Sequence, residues 1–446
     1  MPSVMGARDR QFRYFIRTFG CQMNESDSEK VAGLLGLAGA VRAERPEDAD
    51  LIVVNTCAVR EKSEEKLFSY LGRLARIKEK KPVRIAVVGC VAQIRGRELL
   101  EKRTAVDYVL GPDNAAELLA LVREEDARKY VSTSWKKEWQ EIPPDLILHD
   151  SPVSAYLTVM EGCDNFCSYC IVPYARGREK YRPLSSILGE AGDLARKGFL
   201  EIQLLGQNVN SYRDPDSGRS FPELLKEVSD IAGLEWIRFI TSHPKNFRPE
   251  TAETMAAHKK ICRQLHLPLQ SGSGAVLKRM NRGYTREDYL SIVSLLRRLM
   301  PEICLSTDII VGFPGESEMD FEETLEMLRE VRFTNIFSFR YSPRPSTAAA
   351  QLEETVPQEE KQRRLEEVQR LQKTIQFESH GRQVGRVMRV LCLGRGRKTP
   401  DLFSGRNEGH QVVNFRADED CSARFVDVRI TGFGPYSLLG ERLNGR

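Results

Sequence analysis

The sequence contains no apolar run near the ~18 residues that a membrane-spanning helix needs, so no helix of it is expected to cross a bilayer. Its start, MPSVMGARDRQFRYFI, lacks the apolar stretch and small-residue cleavage site of a secretory signal, and a cytoplasmic location is expected. Charge of one sign is also scarce. The formal net charge is only +4, with 29% charged and 41% apolar residues, which excludes wholesale disorder. What is there is length, 446 residues, or about three domains at ~150 residues each. There are also ten cysteines. A disulfide scaffold belongs to small secreted domains without a sufficient core, and this chain is too large to need one. Grouped cysteines in a reducing compartment indicate metal ligands or catalytic thiols.

From residue 12 to 127 short apolar runs (14–19, 51–55, 85–89, 108–110) alternate with amphipathic segments near 27–37, 61–79 and 115–122. Continuous Val/Ile runs separated by helices predict an α/β domain with a buried, mostly parallel sheet. Ser26 with Glu29 fits a capping box for the first helix. Residues 128–150 break the rhythm with charges, two Trp and Pro143–Pro144, as a linker would. Six strand-helix pairs over 151–380 predict a partial (β/α)6 barrel, open along one side. Residues 381–446 change to short, Gly-punctuated β-runs, consistent with a small antiparallel β-barrel of the OB-like kind. That tail holds twelve Lys and Arg against seven Asp and Glu, so it carries +5 and the rest of the chain −1.

GCDNFCSYC (162–170) follows directly on the first barrel strand and spaces Cys163, Cys167 and Cys170 as C-x3-C-x2-C. Iron–sulfur clusters normally take four cysteines, so three thiolates leave one iron of a cubane open. An open iron can bind the amino and carboxylate groups of S-adenosylmethionine and deliver an electron to its sulfonium. A zinc site completed by a distant Cys or His is the competing use. The carboxyl ends of barrel strands, where such folds place chemistry, favour the cluster. Tyr169 suits packing on the cofactor's adenine, and Gly206, Gln207 and Asn208 offer backbone and amides at the same mouth.

Cys21, Cys57 and Cys90 each stand at the carboxyl end of a predicted strand of the first domain. In an open α/β sheet that edge is where ligands bind, so the three should converge on a second three-cysteine cluster. Cys262, Cys304, Cys392 and Cys421 show no such spacing and are expected to be core or surface residues.

TFGCQMNESDSE (18–29), NTCAVREKSEEK (55–66), GCDNFCSYCIVPYARGRE (162–179), LLGQNVNSY (204–212), LHLPLQSGS (265–273), DIIVGFPGE (308–316) and SPRPST (342–347) together resemble the radical S-adenosylmethionine methylthiotransferases. GCQMN (20–24) is similar to the tRNA-modifying branch of that family. The resemblance covers essentially the whole chain and implies a methylthiotransferase domain, a radical barrel and a terminal TRAM domain. Ser346 and Ala348 depart from it, where many relatives carry Gly and Pro.

The implied reaction places a methylthio group on C2 of N6-isopentenyl (dimethylallyl) adenosine at position 37, beside the anticodon of tRNA. That C2–H is neither acidic nor a leaving group, so the cofactor supplies the hard step. The resemblance implies two [4Fe-4S] clusters and two molecules of S-adenosylmethionine. One set of thiolates, Cys163, Cys167 and Cys170, would generate a 5′-deoxyadenosyl radical. The cluster on Cys21, Cys57 and Cys90 would carry the sulfur. Gln270 and Ser271 are further implied cofactor contacts, and Gln22 and Asn24 are candidates for hydrogen bonds to the adenine edge. The partners implied are the anticodon stem-loop of tRNA, gripped by the basic tail, together with unidentified electron and sulfur donors. A monomer that touches no membrane is expected. The alternatives are methylthiolation of a ribosomal-protein aspartate or of threonylcarbamoyl-adenosine, or a non-catalytic metal-containing RNA-binding protein.

Overall fold

Strand Leu51–Thr56 is buried at every position, because successive side chains enter two different cores. Ile52 and Val54 pack with Leu67, Leu71 and Leu74 of helix Glu61–Lys80 on one face. Leu51 and Val53 pack with Val31, Ala32 and Leu35 of helix Gln22–Leu37 on the other. A sheet covered by helices on both faces is the parallel α/β solution, and all five pairings are parallel. The computed structural model describes residues 11–59, 61–103, 105–123, 129–396 and 400–443. It divides the chain into two units. The first runs to Asp150 and includes Met160–Asp164 and Cys170–Arg182; the second holds Ser151–Val159, Asn165–Tyr169 and the chain from Pro183 onward.

The first unit's sheet has six strands in the order Val41–Arg42, Arg13–Phe19, Leu51–Thr56, Arg84–Val88, Tyr108–Leu110, Tyr130–Ser132. Strand order therefore reverses between Arg13–Phe19 and Leu51–Thr56, and such a reversal opens a crevice at the carboxyl edge of the sheet. The stretch 128–150, expected as a linker, supplies the sixth strand and then packs back on the first helix. A Cβ on Gly33 would lie 1.4 Å from Leu146 O, and Asp150 N–H donates to Glu29 Oε1 at 3.0 Å.

In the second unit, strands Ser154–Thr158, Glu201–Leu205 and Trp236–Ile240 form one parallel sheet, and Gln264–His266, Cys304–Val311 and Asn335–Arg340 form another. A single parallel bridge, Ile237 to Ile261, joins them into the partial barrel. Helix Gln358–Gly381 covers the last strand, with Gln372 Nε2 donating to Phe333 O at 2.9 Å. Ser346 has φ 67°, a left-handed conformation that favours glycine.

The terminal strands close into a five-stranded barrel, Val387–Arg395, Phe403–Asn407, Val412–Arg416, Leu438–Arg442 and Phe425–Phe433. It is the small, mainly antiparallel barrel expected, with one parallel pairing, Val412–Arg416 with Leu438–Arg442. This small barrel docks on the amino ends of the large barrel's strands. Leu391 joins Val153, Trp236 and Cys262 in one apolar cluster, and the Trp236 and Phe425 rings meet edge to face at 4.7 Å. Beneath them Arg238, fully buried, pairs with Glu201 at 2.6 Å and donates to Glu408 O and Asn407 O at 2.6 and 2.8 Å.

Candidate active site

Three strands of the first unit end on a cysteine. Cys21 follows Arg13–Phe19 by one glycine, Cys57 follows Leu51–Thr56 directly, and Cys90 follows Arg84–Val88 by one glycine. Cys21 and Cys57 thus flank the strand-order reversal, where the fold opens its crevice. The Cys21, Cys57 and Cys90 thiols are close enough to shift one another's pKa. Interaction with Cys57 pulls the Cys21 thiol down, and the same interaction together with burial pushes Cys57 up. Burial raises Cys90, against the pull of Arg176.

Helix Gln22–Leu37 starts at Cys21 as its N-cap, not at Ser26 as its Ser26–Glu29 pattern suggested. Ser26 and Glu29 are buried inside the helix, and Glu29 is taken up by Asp150 and by His149 at 3.2 Å. The cap contact comes instead from Asn24, whose Oδ1 accepts from Cys21 N–H at 3.5 Å and from its Sγ at 3.3 Å. Asn24 is fully buried, and its Nδ2 donates to Asn55 Oδ1 at 2.8 Å. Asn55 returns bonds to Asn24 O and Ser28 Oγ. Asn24 therefore braces the cysteine loops, with its Oδ1 and one of its two amide N–H groups engaged there. Gln22 stays half-buried at the first position of the helix.

Close approach of the strand ends explains both glycines. A Cβ on Gly20 would lie 2.5 Å from Asn24 Oδ1 and 2.9 Å from Cys57 Cβ. Gly89 has φ 88°, and a Cβ there would lie 2.3 Å from Asn55 Oδ1. One more group completes the site. Arg176 is 3% exposed, donates from Nε to Cys90 Sγ at 3.2 Å and from Nη2 to Asp27 Oδ2 at 2.6 Å. Its buried Nη1 has no acceptor among the described residues. No three His, Cys, Asp or Glu side chains among the described residues are grouped for a single metal ion. Three sulfur donors on converging strands, beside a cation with an N–H to spare, suit an iron–sulfur cluster, whose sulfides accept hydrogen bonds.

The division between units passes through the second cysteine set, with Cys163 and Cys170 in the first and Cys167 in the second. Cys163 N–H donates to Gly177 O at 3.1 Å, and Cys170 immediately precedes the buried Ile171 that caps helix Val172–Arg176. In the second unit Cys167 Sγ sits 3.3 Å from Arg282 Nη1 and 3.6 Å from His243 Nε2. Burial, reinforced by Arg282 and Lys245, pushes the His243 pKa down to about 2, so the ring is neutral. Its Nδ1 accepts from Lys245 N–H at 3.2 Å, which assigns the proton to Nε2, facing the Cys167 sulfur. Arg282 also donates to Pro268 O at 2.6 Å and reaches Tyr169 OH at 3.4 Å. The Tyr169 ring packs with Val276, Met280, Phe313 and Tyr341, so it anchors the cysteine loop as well as flanking it.

Around the same mouth, Gly206 is buried, Gln207 half-buried, and Asn208 is held by Asn246 Oδ1 at 3.0 Å. Gln270 carries φ 74° and a buried Oε1 without a partner among the described residues. Asn210 has neither amide atom paired, and Ser242 Oγ is likewise unpaired, among the described residues. Phe166 and Thr241 share the left-handed backbone, at φ 46° and 73°. Strain and unpaired buried polar atoms at one rim mark a site that a ligand completes. Ser271 lies deeper than Gln270. It is fully buried, accepts from Ser273 N–H at 3.2 Å and meets Thr324 Oγ1 at 3.4 Å, so it belongs to the wall of the barrel.

Comparison with known proteins follows the same order along the chain. Residues 13–111 match the family described as uncharacterized protein family UPF0004, 157–328 the radical SAM superfamily and 381–443 the TRAM domain. A tRNA-2-methylthio-N(6)-dimethylallyladenosine synthase of Geobacter metallireducens is 48% identical over 431 residues, 96% of this chain and 97% of that protein. The protein of the same name from Geotalea uraniireducens is 47% identical over 437 residues, 97% and 99% of the two chains. The chain belongs to the tRNA-2-methylthio-N(6)-dimethylallyladenosine synthase family.

Among solved structures, the radical S-adenosylmethionine methyltransferase TsrM from Kitasatospora setae shares the fold. Its TM-score is 0.57 at 17% identity, over 76% of this chain and 75% of that one. Within this synthase-family chain, His243, Arg282 and Arg176 were missed by sequence reasoning. Arg176 stood inside the motif IVPYARGRE and His243 in SHP, three residues past a strand end, but nothing local tells which sulfur either one meets. The remaining cysteines do structural work. Cys262 lies in the interface cluster, Cys304 abuts Gly409, and Cys392 and Cys421 face each other at 3.6 Å inside the small barrel.

Proposed function

We propose that this protein installs a methylthio group on C2 of N6-dimethylallyladenosine next to the anticodon of tRNA, acting as a cytoplasmic monomer. The observation that carries the reading is the 48% identity, over 96% of the chain, to a synthase of that name. The two clusters, once bound, supply an electron to S-adenosylmethionine and a carrier for sulfur. The protein's own share is placement. Cys21, Cys57 and Cys90 present three sulfurs at the sheet's crevice, braced by Asn24 and Asn55. His243 and Arg282 direct N–H groups at Cys167. The unpaired amides of Asn210 and Gln270 offer polar contacts at the barrel mouth.

The test is mass spectrometry of tRNA nucleosides. Incubation of the reconstituted protein with S-adenosylmethionine, reductant and tRNA bearing N6-dimethylallyladenosine yields its 2-methylthio derivative. Product on threonylcarbamoyl-adenosine or on a ribosomal-protein aspartate, with none here, would refute the assignment.

RNA affinity is divided unevenly over the basic tail. Arg386 pairs with Glu302 at 2.7 Å and Arg389 with Glu235 at 2.9 Å, so these two hold the small barrel to the large one. Arg442 is engaged by Glu419 at 2.7 Å. Arg395, Arg416 and Arg429 are exposed and form no ion pair among the described residues. Because the small barrel covers the amino ends of the strands, these arginines grip phosphates away from the reacting base. Such contacts set affinity and register, not base choice. Arg395→Glu with Arg416→Glu is expected to raise KM for tRNA and to lower the slope of log K against log salt by about 2, since each phosphate contact contributes about 1. The modified nucleoside stays the same. An unchanged salt slope places the RNA elsewhere.

A further inference from the structure

Arg176 follows Cys170 by six residues in sequence, yet its guanidinium serves the other cysteine set. Helix Val172–Arg176 is seated in the first unit's core, where Ile171 and Ala175 pack with Val91, Ala92 and Val87. Gly177, at φ 78°, ends the helix where a Cβ would lie 3.0 Å from the Trp135 ring. The backbone on both sides is thus fixed, and the side chain is delivered to one place. There it makes a charge-assisted pair with Asp27 and a hydrogen bond to the Cys90 sulfur, and leaves Nη1 without an acceptor among the described residues.

A buried ion pair is weak support for stability, because well-packed apolar residues of similar volume do as well or better. An arginine buried beside a sulfur donor needs a second reason. Thiolate-ligated clusters carry negative charge that increases on reduction, and hydrogen bonds to their sulfurs, together with local charge, set the potential. A guanidinium stays protonated at every working pH and offers several N–H groups in a fixed plane.

We infer that Arg176 is a positioning residue of the Cys21, Cys57 and Cys90 site, which orients the Cys90 sulfur and raises the reduction potential of the cluster held there, with Asp27 as the opposing charge. This rests on the reading that those three cysteines hold a cluster. Asp27 fixes the guanidinium's orientation and offsets part of its charge, so the two residues act on the potential with opposite signs.

The experiment uses the full chain with Cys163, Cys167 and Cys170 changed to Ala, so that iron bound after anaerobic reconstitution reports the other site alone. Potentials are followed by electron paramagnetic resonance during reductive titration. Relative to this parent, Arg176→Met is expected to move the midpoint to more negative potential and Arg176→Lys by less, since it keeps the charge and loses the planar fork. Asp27→Asn is expected to move it the other way. Equal potentials in the parent and in Arg176→Met at equal iron content overturn the inference. A parent that binds no iron overturns the reading of the cysteine triplet itself. Should Arg176→Met not fold, Asp27→Asn decides alone: a positive shift supports the inference, and no shift or a negative one overturns it. A purely structural arginine leaves the potential in place or moves it in the same direction for both variants.

Discussion

Cys57→Ala protein is expected to cleave S-adenosylmethionine to 5′-deoxyadenosine in the presence of reductant and to form no methylthio product. Cys57 lies at the strand-order reversal and is buried beside the loop that carries Cys21, so its loss removes one of the three sulfurs gathered there. The C-x3-C-x2-C loop is left intact. Iron content should fall to about half, about four rather than about eight per chain for two cubanes. Cys167→Ala should retain about half the iron as well but form neither 5′-deoxyadenosine nor product, because its sulfur lies at the barrel mouth with His243 and Arg282. The two phenotypes share an end point and differ in the cofactor readout. Methylthio product from Cys57→Ala protein at more than a trace would remove the triplet from the reaction.

The second large effect is expected far from either cysteine set. Arg238→Ala leaves Glu201 buried without its partner and leaves Glu408 O and Asn407 O without their donor. Breaking a buried pair by removing one partner costs about 3–5 kcal/mol. Three of the lost bonds tie the large barrel to the small one or anchor that tie, so the penalty should appear as detachment of the small barrel. A multidomain chain has no single unfolding free energy, and the suitable measurement is hydrogen exchange along strands Phe403–Asn407 and Val412–Arg416. Faster exchange there, with unchanged exchange in Leu51–Thr56, is the expected pattern. tRNA affinity should fall with it, while cofactor cleavage persists. The double variant Arg238→Met with Glu201→Leu should recover much of the loss, since replacing both charges removes the orphan. Unchanged exchange in Arg238→Ala would show that the apolar cluster around Trp236 and Phe425 suffices to hold the interface.

Local pattern made part of this protein legible in its sequence. Buried parallel strands are short apolar runs followed by amphipathic helices, so the strands before Cys21, Cys57 and Cys90 stood out, and their carboxyl ends are a property of chain direction alone. The C-x3-C-x2-C loop is local as well. Helix starts were less legible. Ser26 and Glu29 satisfy the capping pattern, but the tertiary environment lets Cys21 and Asn24 cap the helix earlier and draws Glu29 toward 149–150. Residues 128–150 look like a connector because the edge strand they contribute is only three residues long.

The sequence by itself determined the order of the domains, the alternation that makes parallel sheets, and the chemistry available at six cysteines. Only the tertiary structure decided which strands lie side by side, and so that the reversal of order falls between the strands leading to Cys21 and Cys57. It also decided that Asn24 is a brace, that Arg176 meets Cys90 and that Arg238 reaches Asn407 and Glu408. The physical reason is the range of the interactions. Periodicity and chain direction are set by neighbours along the chain, whereas a buried charge or amide is defined by the partner that satisfies it, and here each partner lies many residues away.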